Sequence, residues 1–306
     1  MKTTLRVAFQ GEHGAFSEAA AIQLLGESIT TVPRATFDSA FRAIEQGAAD
    51  ALLAPVENTL AGSVVRVYDL LLESNLGIVA ETILRIEHHL IGVPGATLEG
   101  LKSVASHPVA LAQCEKFFLQ HPALKRLTVE DTAGSVRDVL AKGDKTAAGI
   151  AGRRAAVRYG GVILKEAIQD NAENFTRFVL LVPMQREDAR VVAAPSHPVT
   201  DLVADLLRRD FSGSEKFKLK MSLALRLAHK PGALLAALEP FARHGINLMK
   251  IESRPIHGTP WIYQFFVDLE GESLDKLYAA VSEVKAVTSD VRNLGFYASA
   301  AKAEQK

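Results

Sequence analysis

Four polar side chains and a glycine follow directly after one predicted buried strand, Ala51–Ala54. The polar residues are Glu57, Asn58, Thr59 and Ser63. Because open α/β sheets form ligand crevices at the carboxyl ends of their strands, this segment is a candidate binding site. Helix capping by Asn58, Thr59 or Ser63 is the alternative, and it would use one or two of these side chains and leave the others unexplained.

A second candidate segment, Asn174–Phe178, begins another predicted strand. Successive side chains of a regular strand point to opposite faces, so Thr176 and Arg177 would diverge. Either the backbone is irregular here, or only one of the two side chains reaches a crevice. Arg177 suits the recognition of a carboxylate, and a surface salt bridge is an equally weighted alternative.

The segment Ser106–Pro108 leads into a predicted helix that carries Gln113 and Cys114. Ser106 or His107 is suited to cap that helix, with a proline in its first turn. No second ligand stands at helical or strand spacing from His107, so a metal site is disfavoured. Cys114 falls on the apolar face of the predicted helix, which indicates a buried, unreactive thiol.

Two loops carry weaker signals. Gly11–Ser17 joins the first predicted strand to a helix, and its two glycines would let the backbone approach an anion at the helix N-terminus. An ordinary turn with Ser17 as N-cap is the alternative. The segment lacks the G-x-G-x-x-G pattern, so a dinucleotide site is not indicated. Asp131–Ser135 is interpreted as a loop that ends in a helix cap.

The composition excludes several classes of protein. The 306 residues are 48% hydrophobic and 23% charged, which is typical of a globular chain of about two domains. Equal numbers of basic and acidic side chains, 35 each, give no electrostatic footprint for nucleic acid or an anionic membrane. The single cysteine excludes a disulfide framework and fits a reducing compartment. No signal segment or long apolar span is visible, so we expect a cytoplasmic protein.

The elements that must position these segments alternate in the first half of the chain. Leu5–Phe9 and Ala51–Ala54 are predicted strands, and Ser17–Leu25 is a predicted helix. An apolar pattern at i, i+3, i+4 and i+7 from Phe37 to Ile44 predicts a second helix, and Leu111–Phe118 belongs to a later one. This alternation indicates an α/β domain with mostly parallel sheets at residues 1–183.

The pattern changes after Pro183. Residues 184–217 are predicted to be a linker with a short helix at Leu202–Leu207. Residues 218–298 then read as strand, helix, strand, strand, helix and strand, with the last strand at Val287–Leu294. This βαββαβ order predicts a ferredoxin-like α+β domain, followed by a tail at 299–306.

Taken together, these segments resemble the prephenate dehydratase family. The matching stretches, in order, are GEHGAFSEAA, PVENTLAGSV, SHPVALAQC, AAGIAGRRAAVRYG and NFTRF. The C-terminal part resembles an ACT domain of the phenylalanine-sensing kind, through GALL and ESRP. The resemblance covers nearly the whole chain outside residues 183–218. It departs from the family pattern at Glu12 and His13, where the family usually has a proline, and at Met221.

The resemblance implies a two-lobed catalytic domain of the periplasmic-binding-protein type, with the active site between the lobes. It implies conversion of prephenate to phenylpyruvate, with loss of water and carbon dioxide and with no cofactor or metal. Thr176 and Arg177 match catalytic positions, with Thr176 as hydrogen-bond donor to the leaving hydroxyl. Arg177 and the amides of the glycine turn are candidates to bind the two substrate carboxylates. The matched substrate-binding positions are Glu57, Asn58, Thr59, Ser63, His107, Gln113, Asn174 and Phe175.

For the C-terminal domain, the resemblance implies allosteric feedback regulation by L-phenylalanine. The ligand would bind where ACT domains pair in a homodimer or homotetramer. The implied regulatory residues are Gly232, Ala233, Leu234, Leu235, Glu252, Ser253, Arg254 and Pro255. Simple helix capping and a charged surface strand are the alternatives for these two segments.

Two other functions stay open. Arogenate dehydratase has the same fold and chemistry, with an amino group where prephenate has a keto oxygen. A non-catalytic phenylalanine sensor would keep both domains without turnover. Because the sequence begins at its first strand, we expect a monofunctional enzyme without a fused chorismate mutase.

Overall fold

The computed structural model describes residues 4–187, 190–193, 218–256, 258–259 and 262–300. No helix in these ranges is long and apolar enough to cross a membrane. The chain divides into two compact units that are not contiguous in sequence. Unit 1 is drawn from Met1–Leu70 and Thr82–Val179, and unit 2 from Leu71–Glu81 and Leu180–Lys306.

The first lobe of unit 1 is built on parallel strands. Strand β1 (Arg6–Gln10) pairs in parallel with β2 (Thr30–Arg34) on one side and with β3 (Ala51–Asn58) on the other. Helices α1 (Phe16–Leu25) and α2 (Phe37–Glu45) connect these strands. The interior residues of β1 and most of β3 are buried. Because these strands are covered on both faces, their residues are apolar almost throughout.

Strand β3 does not stop at the sheet edge but turns into a hairpin. It pairs antiparallel with the two-residue strand β4 (Gly62–Ser63), and helix α3 (Val65–Glu73) follows. Strands β5 (Leu76–Arg85) and β11 (Phe175–Glu187) each contribute residues to both units, and β11 is the neighbour of β3 in the sheet.

The second lobe of unit 1 has its own five-stranded mixed sheet, in the order β10-β6-β9-β7-β8. Its strands are β6 (His89–Gly92), β7 (Ser103–Ser106), β8 (Lys125–Thr128), β9 (Ala147–Ala151) and β10 (Val162–Lys165). Its helices are α4 (Pro108–Ala112), α5 (Glu115–Gln120), α6 (Thr132–Lys142) and α7 (Arg153–Tyr159). Two apolar clusters, which include Leu90 and Ile91 on the two faces of β6, form its core.

The predicted α/β class is confirmed in unit 1, with two local corrections. Helix α1 begins at Phe16 with Ala15 as its N-cap, so Ser17 is a buried first-turn residue and not the cap. The helix predicted across 111–118 is broken between α4 and α5, and Cys114 lies at the break. Its thiol is fully buried, and burial raises its pKa to about 12, with Asp170 adding to the shift.

Most of unit 2 is the predicted ferredoxin-like domain. Its elements are β13 (Leu219–Arg226), α8 (Ala233–Arg243), β14 (Asn247–Pro255), β15 (Tyr263–Gly271), α9 (Leu274–Val287) and β16 (Asp290–Ala298). The antiparallel sheet has the order β14-β15-β13-β16. Residues 219, 221, 223 and 225 alternate along β13 into the apolar core that α8 and α9 help to form.

Two boundaries differ from the sequence prediction. The last strand is Asp290–Ala298 rather than 287–294, because α9 continues through Val287. Strand β11 runs past Pro183 to Glu187 and pairs antiparallel with β12 (Arg190–Ala193), so a hairpin occupies the start of the predicted linker. The predicted helix at 202–207 lies outside the described residues. The domain bounds 1–183 and 218–298 stay a prediction.

Unit 2 buries charged and polar side chains on the sheet face away from α8 and α9. Lys220 Nζ donates to Glu81 Oε1 at 2.7 Å, and both side chains are almost fully buried. Ser222 Oγ donates to Asp268 Oδ1 at 2.5 Å and lies 2.7 Å from Tyr297 Oη. We call these five residues the charged cluster.

Strand β16 also binds the Leu71–Glu81 segment of unit 2. The Arg292 guanidinium donates to the backbone carbonyls of Leu71, Leu72 and Ser74. Gly295 pairs in parallel with Ile78, and a Cβ at Gly295 would lie 2.2 Å from the Ile78 carbonyl oxygen. Only glycine permits this approach, so the contact between β16 and β5 requires a glycine at position 295.

Candidate active site

Asn58, at the end of β3, is a polar side chain of unit 1 that several hydrogen bonds hold. Its Oδ1 accepts hydrogen bonds from the backbone amides of Leu60 at 3.0 Å and Ala61 at 2.8 Å. Backbone amides can only donate, so the orientation of the Asn58 side-chain amide is determined. Its Nδ2 donates toward Asn174 Oδ1 at 2.8 Å, Thr176 Oγ1 at 2.9 Å and the carbonyl of residue 175 at 3.1 Å.

The hydrogen bonds continue from Asn58 into the second lobe. Asn174 Nδ2 donates to Gln113 Oε1 at 3.0 Å, and His88 Nε2 lies 2.9 Å from the same oxygen. Gln113 is the C-cap of α4, and His88 directly precedes β6. We call Thr176, Asn58, Asn174, Gln113 and His88 the polar network. It joins the two lobes of unit 1 through uncharged side chains.

Thr176 stands at one end of this network. Its side chain is buried, and its hydroxyl oxygen accepts from Asn58 Nδ2. Within the described part of the chain the hydroxyl makes no other hydrogen bond. Since a hydroxyl has one donor and two acceptor positions, the Thr176 hydrogen is available to a ligand.

Arg177 lies apart from the polar network. It is part of the regular strand β11, so it points to the face opposite Thr176. Its Nη2 lies 3.4 Å from Glu57 Oε2, and the guanidinium is 12% exposed against 41% for the Glu57 side chain. The two side chains form an ion pair whose carboxylate is partly exposed, so the salt-bridge alternative stands beside carboxylate recognition. A contact of Arg177 or Glu57 with a substrate stays a prediction.

Thr59 joins the β3 hairpin to the start of β11. Its hydroxyl donates to the Glu173 carbonyl at 2.9 Å and accepts from the Phe175 amide at 3.0 Å. Its own amide donates to the Phe175 carbonyl at 2.9 Å. These bonds hold Asn58 and Thr176 in place, and they give Thr59 and Phe175 a positioning role. Direct contact of either residue with a substrate stays a prediction.

His107 and Ser63 lie outside the polar network. His107 is the N-cap of α4, where its Nδ1 accepts from the Val109 amide at 3.3 Å, as the capping alternative predicted. Gln113 is at the other end of the same helix. Ser63 on β4 is paired in register with Glu57. Substrate contacts of His107 and Ser63 stay predictions.

Three amides of the glycine turn are already bonded within the protein, so anion binding by the turn stays a prediction for its other amides. The Gly14 amide donates to Glu18 Oε2 at 2.7 Å, and the amides of Gly11 and Ala15 donate to backbone carbonyls. The Glu18 carboxylate in the first turn of α1 therefore takes the place expected for a bound anion. A Cβ at Gly14 would lie 2.8 Å from the Ala155 Cα, so the glycine serves close packing of the turn against α7.

Glu18 is a buried charge that four donors satisfy. His13 Nδ1 at 2.9 Å and Thr31 Oγ1 at 2.8 Å contact Oε1, while Arg154 Nε at 3.1 Å and the Gly14 amide contact Oε2. Burial alone would raise the pKa of this carboxyl, but the hydrogen bonds lower it to about 2. The ionised Glu18 carboxylate therefore holds the glycine turn in its conformation.

Asp131 is the N-cap of α6, as the sequence indicated. Its Oδ1 accepts from the Gly134 amide at 2.6 Å. Burial raises the pKa of Asp131, and the negative charge of Glu12 adds to this, while the bond from Gly134 opposes it. The residue is explained by its capping role.

His88 is the member of the polar network that sequence reasoning missed. It is followed directly by His89, and no periodic spacing or motif distinguishes it from a structural histidine. Only its contact with Gln113 reveals its place. Among the described residues, no group of three or more His, Cys, Asp or Glu side chains is arranged to hold a metal ion.

The first predicted regulatory segment lies at the start of α8. Gly232 is the N-cap with φ of 80°, and the Ala233 amide donates to the Lys230 carbonyl at 3.2 Å. Ala233 and Leu234 line a cavity of about 150 Å³ together with Tyr263. Leu235 is exposed.

The second predicted regulatory segment lies on the edge strand β14. Lys250 Nζ contacts Glu252 Oε2 at 3.3 Å, and Ser253 is exposed. Pro255 is paired in register with Tyr263, the residue that also lines the cavity beside α8, and Arg254 pairs with the next residue of β15. The two regulatory segments are therefore at the same end of this domain.

Comparisons with protein-family models divide the chain in two. A model described as prephenate dehydratase matches residues 7–186. A model described as ACT domain matches residues 221–285. The first match covers more than half of the chain and includes every member of the polar network.

Individual relatives agree with these matches. Arogenate dehydratase 3 of Arabidopsis thaliana, a chloroplastic protein, is 39% identical over 313 residues, covering 96% of this chain and 67% of its own. A solved structure of prephenate dehydratase in complex with L-Phe from Arthrobacter aurescens has a TM-score of 0.80 at 28% identity, covering 98% of this chain and 91% of its own. Another solved structure, GqqA, described as a novel type of quorum quenching acylase, has a TM-score of 0.80 at 30% identity over 96% and 98%.

Proposed function

This chain belongs to the prephenate dehydratase family, and we propose that it converts prephenate to phenylpyruvate under feedback control by L-phenylalanine. The observation that carries the proposal is the directed hydroxyl of Thr176. Because Asn58 can only donate to the Thr176 oxygen, the hydroxyl hydrogen points away from Asn58 and is available to a ligand. The leaving group of a dehydratase is an oxygen that needs such a donor.

The reaction requires little covalent chemistry from the protein. The bond from the ring carbon to its carboxylate breaks and releases carbon dioxide. Its electron pair enters the ring, which becomes aromatic as the bond to the ring hydroxyl breaks. The departing oxygen takes a proton and leaves as water. Since aromatisation drives the reaction, the site must mainly orient the substrate and stabilise the leaving oxygen.

Thr176 stabilises that oxygen by donating a hydrogen bond as negative charge develops on it. A threonine hydroxyl is a weak acid, so the proton itself can arrive through water. Asn58, Asn174 and Gln113 hold the hydroxyl in its orientation. Arg177 is our proposed partner for a substrate carboxylate on the family match and on its planar, largely buried guanidinium, with the carboxylate on the face of β11 opposite Thr176.

Arogenate is the second candidate substrate, and the similarity to a plant arogenate dehydratase favours it. Arogenate has an amino group where prephenate has a keto oxygen. This group is on the side chain of the substrate, away from the leaving hydroxyl of the ring. The network chemistry is the same for both substrates, so the preference must come from contacts with that group.

Two other functions receive less support. An acylase with Thr176 as nucleophile would need a base at the hydroxyl, and Asn58 offers a donor there instead. A non-catalytic phenylalanine sensor has no need for a directed hydroxyl.

Regulation by L-phenylalanine is proposed on the ACT match and on the phenylalanine complex of the similar Arthrobacter enzyme.

The first experiment is turnover of prephenate and of arogenate by the purified chain, with and without L-phenylalanine. We expect phenylpyruvate from prephenate, and a rate that falls as L-phenylalanine is added. Turnover of arogenate alone would replace the substrate and keep the reaction. Binding of phenylalanine without turnover of either compound would contradict the enzyme and favour the sensor.

A pair of Thr176 variants tests the mechanism. Thr176→Ala should lower kcat about 10²- to 10³-fold with little change in KM, because the lost bond matters most in the transition state. Thr176→Ser keeps the hydroxyl and should retain most of the activity. A large rise in KM with unchanged kcat for Thr176→Ala would assign the residue to ground-state binding.

A further inference from the structure

His88 is almost fully buried, and only one of its two ring nitrogens has a hydrogen-bond partner among the described residues. The residue is 3% exposed, and its ring packs edge-on against Phe16, with ring centroids 5.5 Å apart. Its backbone amide donates to Gln169 Oε1 at 2.9 Å. Nε2 contacts Gln113, whereas the buried Nδ1 has no hydrogen-bond partner among the described residues.

The tautomer of His88 follows from the far end of the polar network. The amides of Leu60 and Ala61 fix Asn58 with Oδ1 as acceptor and Nδ2 as donor. Asn174 must then accept through Oδ1 and donate through Nδ2. Gln113 Oε1 receives that donor and can only accept again, so His88 Nε2 must carry a hydrogen.

The unpartnered Nδ1 argues that His88 serves more than packing. A buried acceptor without a donor is destabilising, and a purely apolar side chain of similar size would avoid that penalty. The surroundings also favour the neutral ring. Burial lowers the pKa of His88 and His89 lowers it further, while the bond to Gln113 acts in the opposite direction.

We infer that His88 is a positioning residue of the dehydratase site: its Nε2 hydrogen anchors Gln113 Oε1, so that Asn174 and Asn58 keep the positions from which Asn58 donates to Thr176. His88 acts through Gln113, Asn174 and Asn58 and touches no reacting atom. The inference rests on the proposed function for its catalytic consequence. The tautomer and the order of donors stand on geometry alone.

A matched pair of variants separates positioning from packing. His88→Met fills the space without a donor, and His88→Gln places an amide hydrogen near the position of Nε2. We expect His88→Met to lower kcat about 10- to 100-fold at nearly constant KM, since small misplacements of reacting groups have effects of that size. We expect its melting temperature to be unchanged or higher, because the unpartnered Nδ1 is gone. His88→Gln should restore kcat to within a few-fold of wild type.

Unchanged kcat in a folded His88→Met variant would overturn the inference, as would equal loss of kcat in His88→Met and His88→Gln. If His88→Met does not fold, the decision passes to a cycle of His88→Ala with Gln113→Ala. The effect of His88→Ala on kcat should vanish in the Gln113→Ala background. Persistence of the effect there would overturn the inference.

A nitrogen NMR measurement of the wild-type imidazole tests the network without any turnover. We expect the hydrogen of His88 on Nε2 and a bare Nδ1 at neutral pH. A hydrogen on Nδ1 alone would overturn the inference even in an active enzyme. If the tautomer is as expected but the chain turns over neither prephenate nor arogenate, the proposed function fails, and the catalytic role of His88 fails with it.

Discussion

Both units of the molecule bury polar side chains, but they do so in opposite ways. The polar network of unit 1 contains amides, a hydroxyl and a neutral imidazole, each tied to the next by a bond of fixed direction. The charged cluster of unit 2 contains an ammonium, carboxylates and hydroxyls in separate close contacts. The first arrangement ends at a Thr176 hydrogen that is available to a ligand, and the second pairs opposite charges in the interior of unit 2.

The difference teaches what each arrangement is suited to do. A chain of neutral groups can transmit a hydrogen-bond direction over several residues, because each amide has one accepting and one donating end. A buried ion pair transmits no direction but is strongly destabilising when one partner is lost. We therefore expect changes in the network to affect turnover and changes in the cluster to affect stability.

The largest effect is expected in the charged cluster. Lys220→Met removes the ammonium that lies 2.7 Å from the buried Glu81 carboxylate, and loss of one partner of such a pair typically costs about 3–5 kcal/mol. Calorimetry should show a markedly lower melting temperature, while kcat of the folded fraction is retained. The double variant Lys220→Met/Glu81→Gln should recover much of the loss. Full stability of the single variant would break the comparison.

Lys218 provides the matched control for that prediction. It forms a similar contact with Glu270 at 2.9 Å, but its side chain is 48% exposed. Since water screens such a pair, Lys218→Met should cost clearly less than Lys220→Met.

The next largest effect is expected at the centre of the polar network. Asn58→Asp replaces a donor with an acceptor. The side-chain amide of Asn174 would then rotate by 180°, and the Thr176 hydrogen would point to the new carboxylate. We expect kcat to fall about 10²- to 10³-fold, the loss typical of one transition-state donor, with a smaller change in melting temperature. Asn247→Asp, at an exposed amide, is the control. A stability loss without a kcat loss would mean that the network is structural.

Glu18 sharpens the comparison because it is a charged group within unit 1. Its folded pKa of about 2 lies below the ordinary value of 4.5, so its stabilisation is complete above pH 4.5 and disappears as the pH falls toward 2. Glu18→Gln should cost on the order of 3 kcal/mol at neutral pH. Denaturant unfolding from pH 7 to pH 3 should show the gap between wild type and variant closing. A constant gap would contradict the assigned cause.

The smallest effect is expected on the regulatory strand. Ser253 is exposed on β14, so Ser253→Ala should leave stability nearly unchanged. If the proposed phenylalanine site is right, the concentration of L-phenylalanine for half-maximal effect should rise about 10-fold, which corresponds to about 1.4 kcal/mol. Inhibition curves for wild type and variant measure this. An equal loss of basal turnover would place the regulatory site elsewhere.

The fold was largely predictable because its signals are local. Strand and helix alternation identified unit 1, and the alternation of residues 219–225 identified β13 with its buried face toward α8 and α9. Predictions failed where a tertiary contact decided the outcome. The helix expected across 111–118 breaks at Cys114, and the Glu115 and Lys116 amides at that break both donate to the distant Asp170 carboxylate.

The candidate site was only partly predictable for the same reason. Asn58, Gln113, Asn174 and Thr176 were named from motifs, and the structure brings all four together. His88 has no local signature, since its role depends on Gln113, 25 residues away in sequence.

The sequence by itself determined the family, the order of elements and the residue types at the site, because periodicity and motifs are properties of neighbouring residues. The tertiary structure alone decided the direction of each hydrogen bond. Two backbone amides at residues 60 and 61 orient Asn58, and every later donor follows from that choice. It also decided that Glu18 occupies the glycine turn, because that bond competes with any ligand for the same amide. Direction and occupancy depend on atoms that only folding brings within 3 Å of each other.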